Sequence, residues 1–324
     1  MDAAANFQVL LSNITNPTLL FFILGIVAFL IKSDLEIPAP SIKFISLYLL
    51  FSIGFKGGQE LQHSEFTREI FYSLIFGALL ASVIPLYTFF VIKNRVGISN
   101  AGAVAASYGS VSAVTFVSAA TFLEMQSVHF GGHMIAVMAF MEFPAIIMGF
   151  ILIKKFEKDN KSQVSFASII KHAISNGSVL MIMGSLLIGI ISDSRQAEGI
   201  KPFTNDIFKG FLAIFLLEMG MITAKRFSTF KQHGLFVFLF AIIIPLINGC
   251  FIAFVSDIIT QDVGNRFIFS ILAASASYIA VPAAMRLAAP KSDPGLYIPM
   301  ALGVTFPFNI TIGMPLYYLI IGLH

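Results

Sequence analysis

Charge is scarce in this chain. Only 11% of its 324 residues are Asp, Glu, Lys or Arg, against roughly a quarter in soluble domains. There is too little polar surface to cover a core of this size, which excludes an ordinary water-soluble enzyme. Cys250 is the single cysteine, so no intrachain disulfide and no multi-cysteine metal site can form. Tryptophan is absent, which removes the usual Trp part of an interfacial belt. Residues 1–16 hold no Lys or Arg and lack the basic start of a cleaved signal peptide. A retained N-terminus, with a short helix lying at the membrane interface, is expected. No Walker A, nucleophile-elbow or HExxH motif occurs, so ATP-driven pumping and intramembrane proteolysis have no support. The formal net charge of +3 makes no case for nucleic acid.

What is present is apolar: 57% of the residues are hydrophobic and the mean hydropathy is +0.88. A spanning helix takes about 20 residues. Ten apolar runs appear, several of them short or interrupted by Gly, Pro and Ser, at 17–32, 38–55, 67–92, 99–123, 132–153, 177–192, 205–223, 234–257, 266–288 and 296–322. The one sizeable polar connector runs from Lys154 to Lys171. The halves on either side of it resemble each other. FILGIVAFLIKSD (22–34) faces IMGSLLIGIISD (182–193), and FSIGFKGG (51–58) faces LEMGMITA (217–224). VIPL (83–86) faces IIPL (243–246), AASYGSVSAV (105–114) faces AASASYIAVP (273–282), and EFPAIIMG (142–149) faces TFPFNITIG (305–313). All five matches keep their order. The expected organisation is a first five-span repeat at 1–155, a connector at 156–176 and a second repeat at 177–324. Five is odd, so the second copy enters from the opposite side of the membrane. The predicted fold class is therefore an all-α polytopic membrane protein of ten helices in two inverted repeats, a plan common to secondary transporters. Five basic residues fall in loops on the side of both termini and fourteen on the other, which puts the connector in the cytoplasm and both termini outside.

Spans four and nine are the candidates for broken helices. Tyr108, Gly109, Ser110 and Ser112 interrupt one; Ser275, Ser277 and Tyr278 interrupt the other. Small and hydroxyl residues let a helix unwind in mid-membrane where it is buried or lines a wet cavity. Two half-helix N-termini meeting there would favour an anion. The alternative is close helix packing through small residues. Spans five and ten carry Pro144 and Pro307, each of which removes a backbone donor. Glu142, two residues before Pro144, is a carboxyl inside an apolar span and so a functional candidate. With Thr305, Asn309 and Thr311 in the second repeat it could hold Na⁺ or exchange a proton. It could also be a protonated side chain bonded to a neighbouring helix. Glu218 is a second, weaker candidate in span seven. His129 and His133 have a metal-like spacing but no evident third ligand. Lys56 and Arg286 end spans two and nine, where such residues usually snorkel to the interface.

Several segments together resemble the sodium-dependent bicarbonate transporter family of the cyanobacterial type. They are NPTLLFFILGIVAFLIKSDLEIP (16–38), IGFKGGQEL (53–61), YGSVSAVTFVSAATFLE (108–124), FMEFPA (140–145), LEMGM (217–221) and AASASYIAVPAAMRLAAPKSDPGLYIP (273–299). The resemblance implies gate and core subdomains, a homotrimer, and Na⁺-coupled uptake of bicarbonate from outside, with the site at the broken spans that match 107–115 and 275–282. It also implies, for some members, a PII-like regulator on the cytoplasmic face. The chain departs from the family pattern at several positions: Tyr278 and Glu142 each stand where that pattern carries Asp, Ala280 and Val281 where it carries Ser and Gly, and Ala113 and Val114 where it carries smaller or polar residues. The expected function is a secondary transporter of a small anion, bicarbonate first, in a bacterial inner membrane. Ser107, Tyr108, Gly109, Ser110, Ser112, Ser275, Ser277 and Tyr278 are the expected anion residues. Thr115, Glu142, Thr305 and Asn309 are those for the cation, with Na⁺ the coupling ion and no other cofactor. The alternatives are a proton- or sodium-coupled carrier of another anion, and a non-transporting sensor of the same fold.

Overall fold

Helices begin and end where prolines, glycines and small caps punctuate the apolar runs. The computed structural model describes residues 17–63, 67–157, 171, 175, 177–230, 234–279, 281–282, 284–285 and 289–323. α1 (Pro17–Leu30) starts at a proline, and α2 (Ala39–Gln62) follows Pro38. α3 (Arg68–Val96) is capped by Thr67, whose Oγ1 accepts from the Ile70 N–H at 3.4 Å. It ends at Gly97, whose φ of +82° lets the chain turn into α4 (Ile98–Gly109). α5 (Ala113–Met125) and α6 (His133–Phe156) complete the first half. α7 (Gly177–Ile191), α8 (Phe208–Phe230), α9 (Leu235–Val255), α10 (Val263–Ala274) and α11 (Pro294–Gly322) form the second. Asp262 caps α10 through a 2.8 Å bond from the Asn265 N–H. α11 contains two wide π-type turns, Pro299–Thr305 and Asn309–Gly313.

All regular structure among the described residues is helical, and seven helices are long and apolar enough to cross a membrane. Three shorter apolar helices, Leu19–Leu30, Gly177–Ile191 and Val263–Ala274, fall where spans one, six and nine were expected. Leu20, Leu24, Leu79, Leu180, Leu235 and Phe251 are all exposed on the outer surface, as lipid-facing side chains are. The protein is an integral membrane protein.

Two boundaries differ from expectation. Span two was expected to stop near residue 55, but α2 runs on to Gln62. Its Gly57 lies against Gly132 and Ile135, and its Gly58 against Leu186 and Gly189, so packing carries the helix past its polar residues. Span seven was expected to stop near residue 223, but α8 runs on to Phe230; α10 stops at Ala274, where the break in span nine was expected. The expected interfacial helix within residues 1–16, Arg286 and most of the connector lie outside the described residues.

Glycines set how the helices pair. α1 crosses α8 where Gly25 abuts the Leu217 carbonyl and Gly220 abuts the Phe22 carbonyl. α2 crosses α7 where Gly54 abuts the Ile182 carbonyl and Gly189 abuts that of Phe55. A side chain at any of these glycines would meet backbone, so the helices approach as closely as backbones can. α3, α4 and α6 form one further group of packed helices, and α9, α10 and α11 another. α4 and residues 110–112 that follow it are buried throughout, apart from a partly exposed first turn. The two groups meet at that segment, in the centre of the molecule.

Candidate functional site

Both chain breaks have the same backbone shape. Ser110 leaves α4 with φ −89° and ψ 167°. Ser275 leaves α10 with φ −85° and ψ 168°. Each is extended, and each ends a helix in a buried setting where its freed polar groups need partners. The two segments supply them to each other. The Ser277 N–H donates to the Ser107 carbonyl at 2.8 Å, and the Ser107 hydroxyl donates back to the Ser277 carbonyl. The Ser112 N–H donates to Ser275 Oγ at 3.3 Å, while Ser275 Oγ donates to the Leu272 carbonyl at 3.1 Å.

On the far side of the first break, Ser112 Oγ caps α5 by accepting from the Thr115 N–H at 3.2 Å. Among the described residues no acceptor meets the amides of Ala113 and Val114, the first two of α5. Ser110 Oγ is buried and also lacks a partner. A small cavity of ≈ 10 Å³, about the space of one water, lies here. Ser112 and Ala113 line it from the first break, Ser277 and Tyr278 from the second, and Glu142 from α6. Leu50 of α2 and Ser178 of α7 close it. Glu142 Oε2 is buried and has no partner among the described residues. The cavity therefore joins amide donors, hydroxyls and one carboxyl, groups that suit a small oxyanion and a hard cation.

The expected residues separate into two sets. Ser112, Ser277, Tyr278 and Glu142 line one cavity, with Ser107, Ser110, Ser275 and Thr115 beside it at the crossing. Gly109 has no side chain because the Pro85 ring occupies that space, with Ala145 Cβ also close. Tyr108, Thr305 and Asn309 point elsewhere. The Tyr108 hydroxyl bonds Thr305 Oγ1 at 2.8 Å, and Thr305 Oγ1 donates to the Ala241 carbonyl at 2.7 Å. The Asn309 amide donates to the Ala274 carbonyl at 2.8 Å, and its oxygen accepts from the Tyr317 hydroxyl at 3.3 Å. These side chains satisfy the end of α10 and its neighbours, and they do not line the Glu142 cavity.

Asn248 was not singled out from sequence. Its amide donates to the Ala273 carbonyl at 3.0 Å, and its oxygen accepts from the Tyr87 hydroxyl. Asn248 and Asn309 thus cap two consecutive carbonyls that the break leaves open. An Asn inside the apolar run IIIPLINGC was the available signal. On the side of the bundle where α2 ends, a larger polar cavity of ≈ 440 Å³ opens among Lys56, Gln59, Glu60, Lys201 and Asn205.

Comparison with known families decides the class. Residues 17–322 match the Na⁺-dependent bicarbonate transporter superfamily. The chain belongs to that family. The match covers both breaks, Glu142 and every helix described above, so the protein is a transporter of this superfamily. A search of curated proteins returns no match.

Proposed function

We propose that this superfamily member takes up a small anion, bicarbonate first, coupled to Na⁺. The observation that carries this reading is the cavity joining both chain breaks to Glu142. Ser112, Ser277 and the α5 amides hold the anion there, with Ser110 and Ser275 beside them, and Glu142 with neighbouring Thr115 holds the cation; the cavity, the space of about one water, widens as it opens to admit them. Thr305 and Asn309 act one step away, by holding the end of α10 in place. The family's description supports both substrates.

The ten-span inverted repeat, with units at 1–155 and 177–324, belongs to the same proposal. The crossings support it. Gly54 meets the Ile182 carbonyl as Gly220 meets the Phe22 carbonyl, and these four positions correspond in the two repeats. In this plan α1, α2, α7 and α8 form the gate bundle, and the helices carrying the breaks form the core bundle. Movement of core against gate exposes the cavity to each side in turn. Both termini lie outside a bacterial inner membrane, in line with the loop charges. The resemblance adds a homotrimer and a PII-like regulator on the cytoplasmic face.

A second reading, another small anion, is favoured by the Tyr278 ring and Ile279, which make part of the cavity wall apolar. Purified protein in liposomes decides between them. Labelled bicarbonate uptake driven by an inward Na⁺ gradient is expected. Stronger competition by another anion than by bicarbonate would move the assignment to that anion. Absence of flux for every anion under any gradient would overturn transport through this cavity.

A further inference from the structure

Several lysines among the described residues meet carboxylates: Lys201 with Glu198 at 3.9 Å, Lys209 with Glu124 at 3.1 Å and Lys291 with Glu157 at 3.3 Å. The end of the bundle where α3 and α6 finish is different. Lys93 Nζ lies 4.5 Å from the centre of the Phe90 ring and 5.0 Å from that of Phe156. Lys155 Nζ lies 5.8 Å from the same Phe156 ring. Two ammonium groups therefore share one ring, and Lys154, adjacent in the chain to Lys155, has its Nζ 5.9 Å from the Phe150 ring. Among the described residues none of these three lysines has a carboxylate partner. Glu157, next in the chain, is engaged by the Ser99 hydroxyl at 2.8 Å and by Lys291.

A ring face attracts a cation but does not cancel its charge. Helix C-termini account for lysines near the last turn of each helix, though not for their convergence on one ring. Among the described residues, no anion meets this seam. On the adjoining surfaces of the same two helices, Phe90, Val91 and Ile151 are 44%, 48% and 42% exposed. Apolar surface next to a basic cluster without a carboxylate partner among the described residues, at the end of two spanning helices, has the layout of a lipid: headgroup above, acyl chain below.

We propose that this seam binds an anionic phospholipid. Its phosphate sits between Lys93 and Lys155, with Lys154 at the edge, and its chain runs along Phe90, Val91 and Ile151. Free phosphate would satisfy the charges and leave the apolar half uncovered. Basic pockets between spanning helices hold anionic headgroups by this combination.

The test uses the full chain in detergent and counts retained lipid by native mass spectrometry. Phosphatidylglycerol should be retained over phosphatidylcholine of equal chain length roughly thirtyfold, the effect of two lysines at a charged headgroup. Lys93→Gln with Lys155→Gln should bring the two lipids level, and Lys93→Arg with Lys155→Arg should keep the preference. Inorganic phosphate with phosphatidylcholine should leave no retained adduct. Equal retention by the unaltered protein, or a preference that survives the glutamine pair, overturns the proposal. A retained phosphate adduct without lipid overturns the lipid as occupant. Should the glutamine pair not fold, a salt titration of the unaltered protein serves instead. A preference that does not fall as salt rises refutes the site.

Discussion

Replacing Gly220 by alanine tests the crossing of α1 and α8. The added methyl would collide with the Phe22 carbonyl and come within 3.0 Å of the Ile26 nitrogen. Both partners are backbone and cannot rotate away, so α1 and α8 must part. Overpacking of this kind costs about 1–3 kcal/mol. The exchange also brings a helix-propensity gain of about 1 kcal/mol, because alanine is the better helix former. Gly184→Ala on α7 isolates that gain, since nothing lies within 4 Å of a methyl built there. The propensity term is common to both, so the two variants should differ by about 1–3 kcal/mol. In detergent, thermal unfolding of Gly220→Ala should fall a few degrees below the parent, and that of Gly184→Ala should match or exceed it. Gly54→Ala should behave as Gly220→Ala does, because Gly54 makes the corresponding approach to the Ile182 carbonyl. A Gly220→Ala protein as stable as Gly184→Ala would refute the close crossing. A Gly54→Ala protein with no loss would refute the correspondence of the two crossings.

Asn248→Leu and Asn309→Leu each leave a buried carbonyl at the end of α10 without its side-chain donor. Each should cost about 1–3 kcal/mol, read as a lower unfolding temperature in detergent. The Lys209–Glu124 pair is more than half exposed on both sides. A double-mutant cycle on thermal stability should therefore find a coupling below about 1 kcal/mol, and less at high salt. Glu142→Gln keeps the shape of the side chain and removes its charge. Liposome uptake should lose its dependence on Na⁺, whereas an unchanged Na⁺ response would clear Glu142 of a cation role.

Much of the fold is legible in the chain. The apolar runs have helical length, and their ends carry prolines, glycines and caps that act locally. The polar interruptions at Ser110 and Ser275 marked both breaks, because serines and glycines in an apolar run weaken a helix wherever it sits. Glu142 stood out for the same reason, as a costly group among cheap ones. Which atoms meet was not legible. Thr305 and Asn309 looked like companions of Glu142 because TFPFNITIG (305–313) resembles EFPAIIMG (142–149) in the chain. Likeness of sequence says nothing about contact, which depends on how the helices cross. In the fold, Thr305 faces Tyr108 and Asn309 faces the end of α10, while Glu142 faces Ser112 and Tyr278.

Composition alone placed this protein in a membrane, because so few charges cannot clothe a soluble core. Local chemistry placed its helix ends and its two breaks. The tertiary structure decided the rest. It put the breaks against each other, so that each satisfies the other's open backbone groups, and it assigned Asn248 and Asn309 to the carbonyls left over. It also gathered the cavity around Glu142 from residues more than a hundred positions apart. In a dry interior every open polar group needs a partner at hydrogen-bond distance, and only the packed chain determines which partner is near enough.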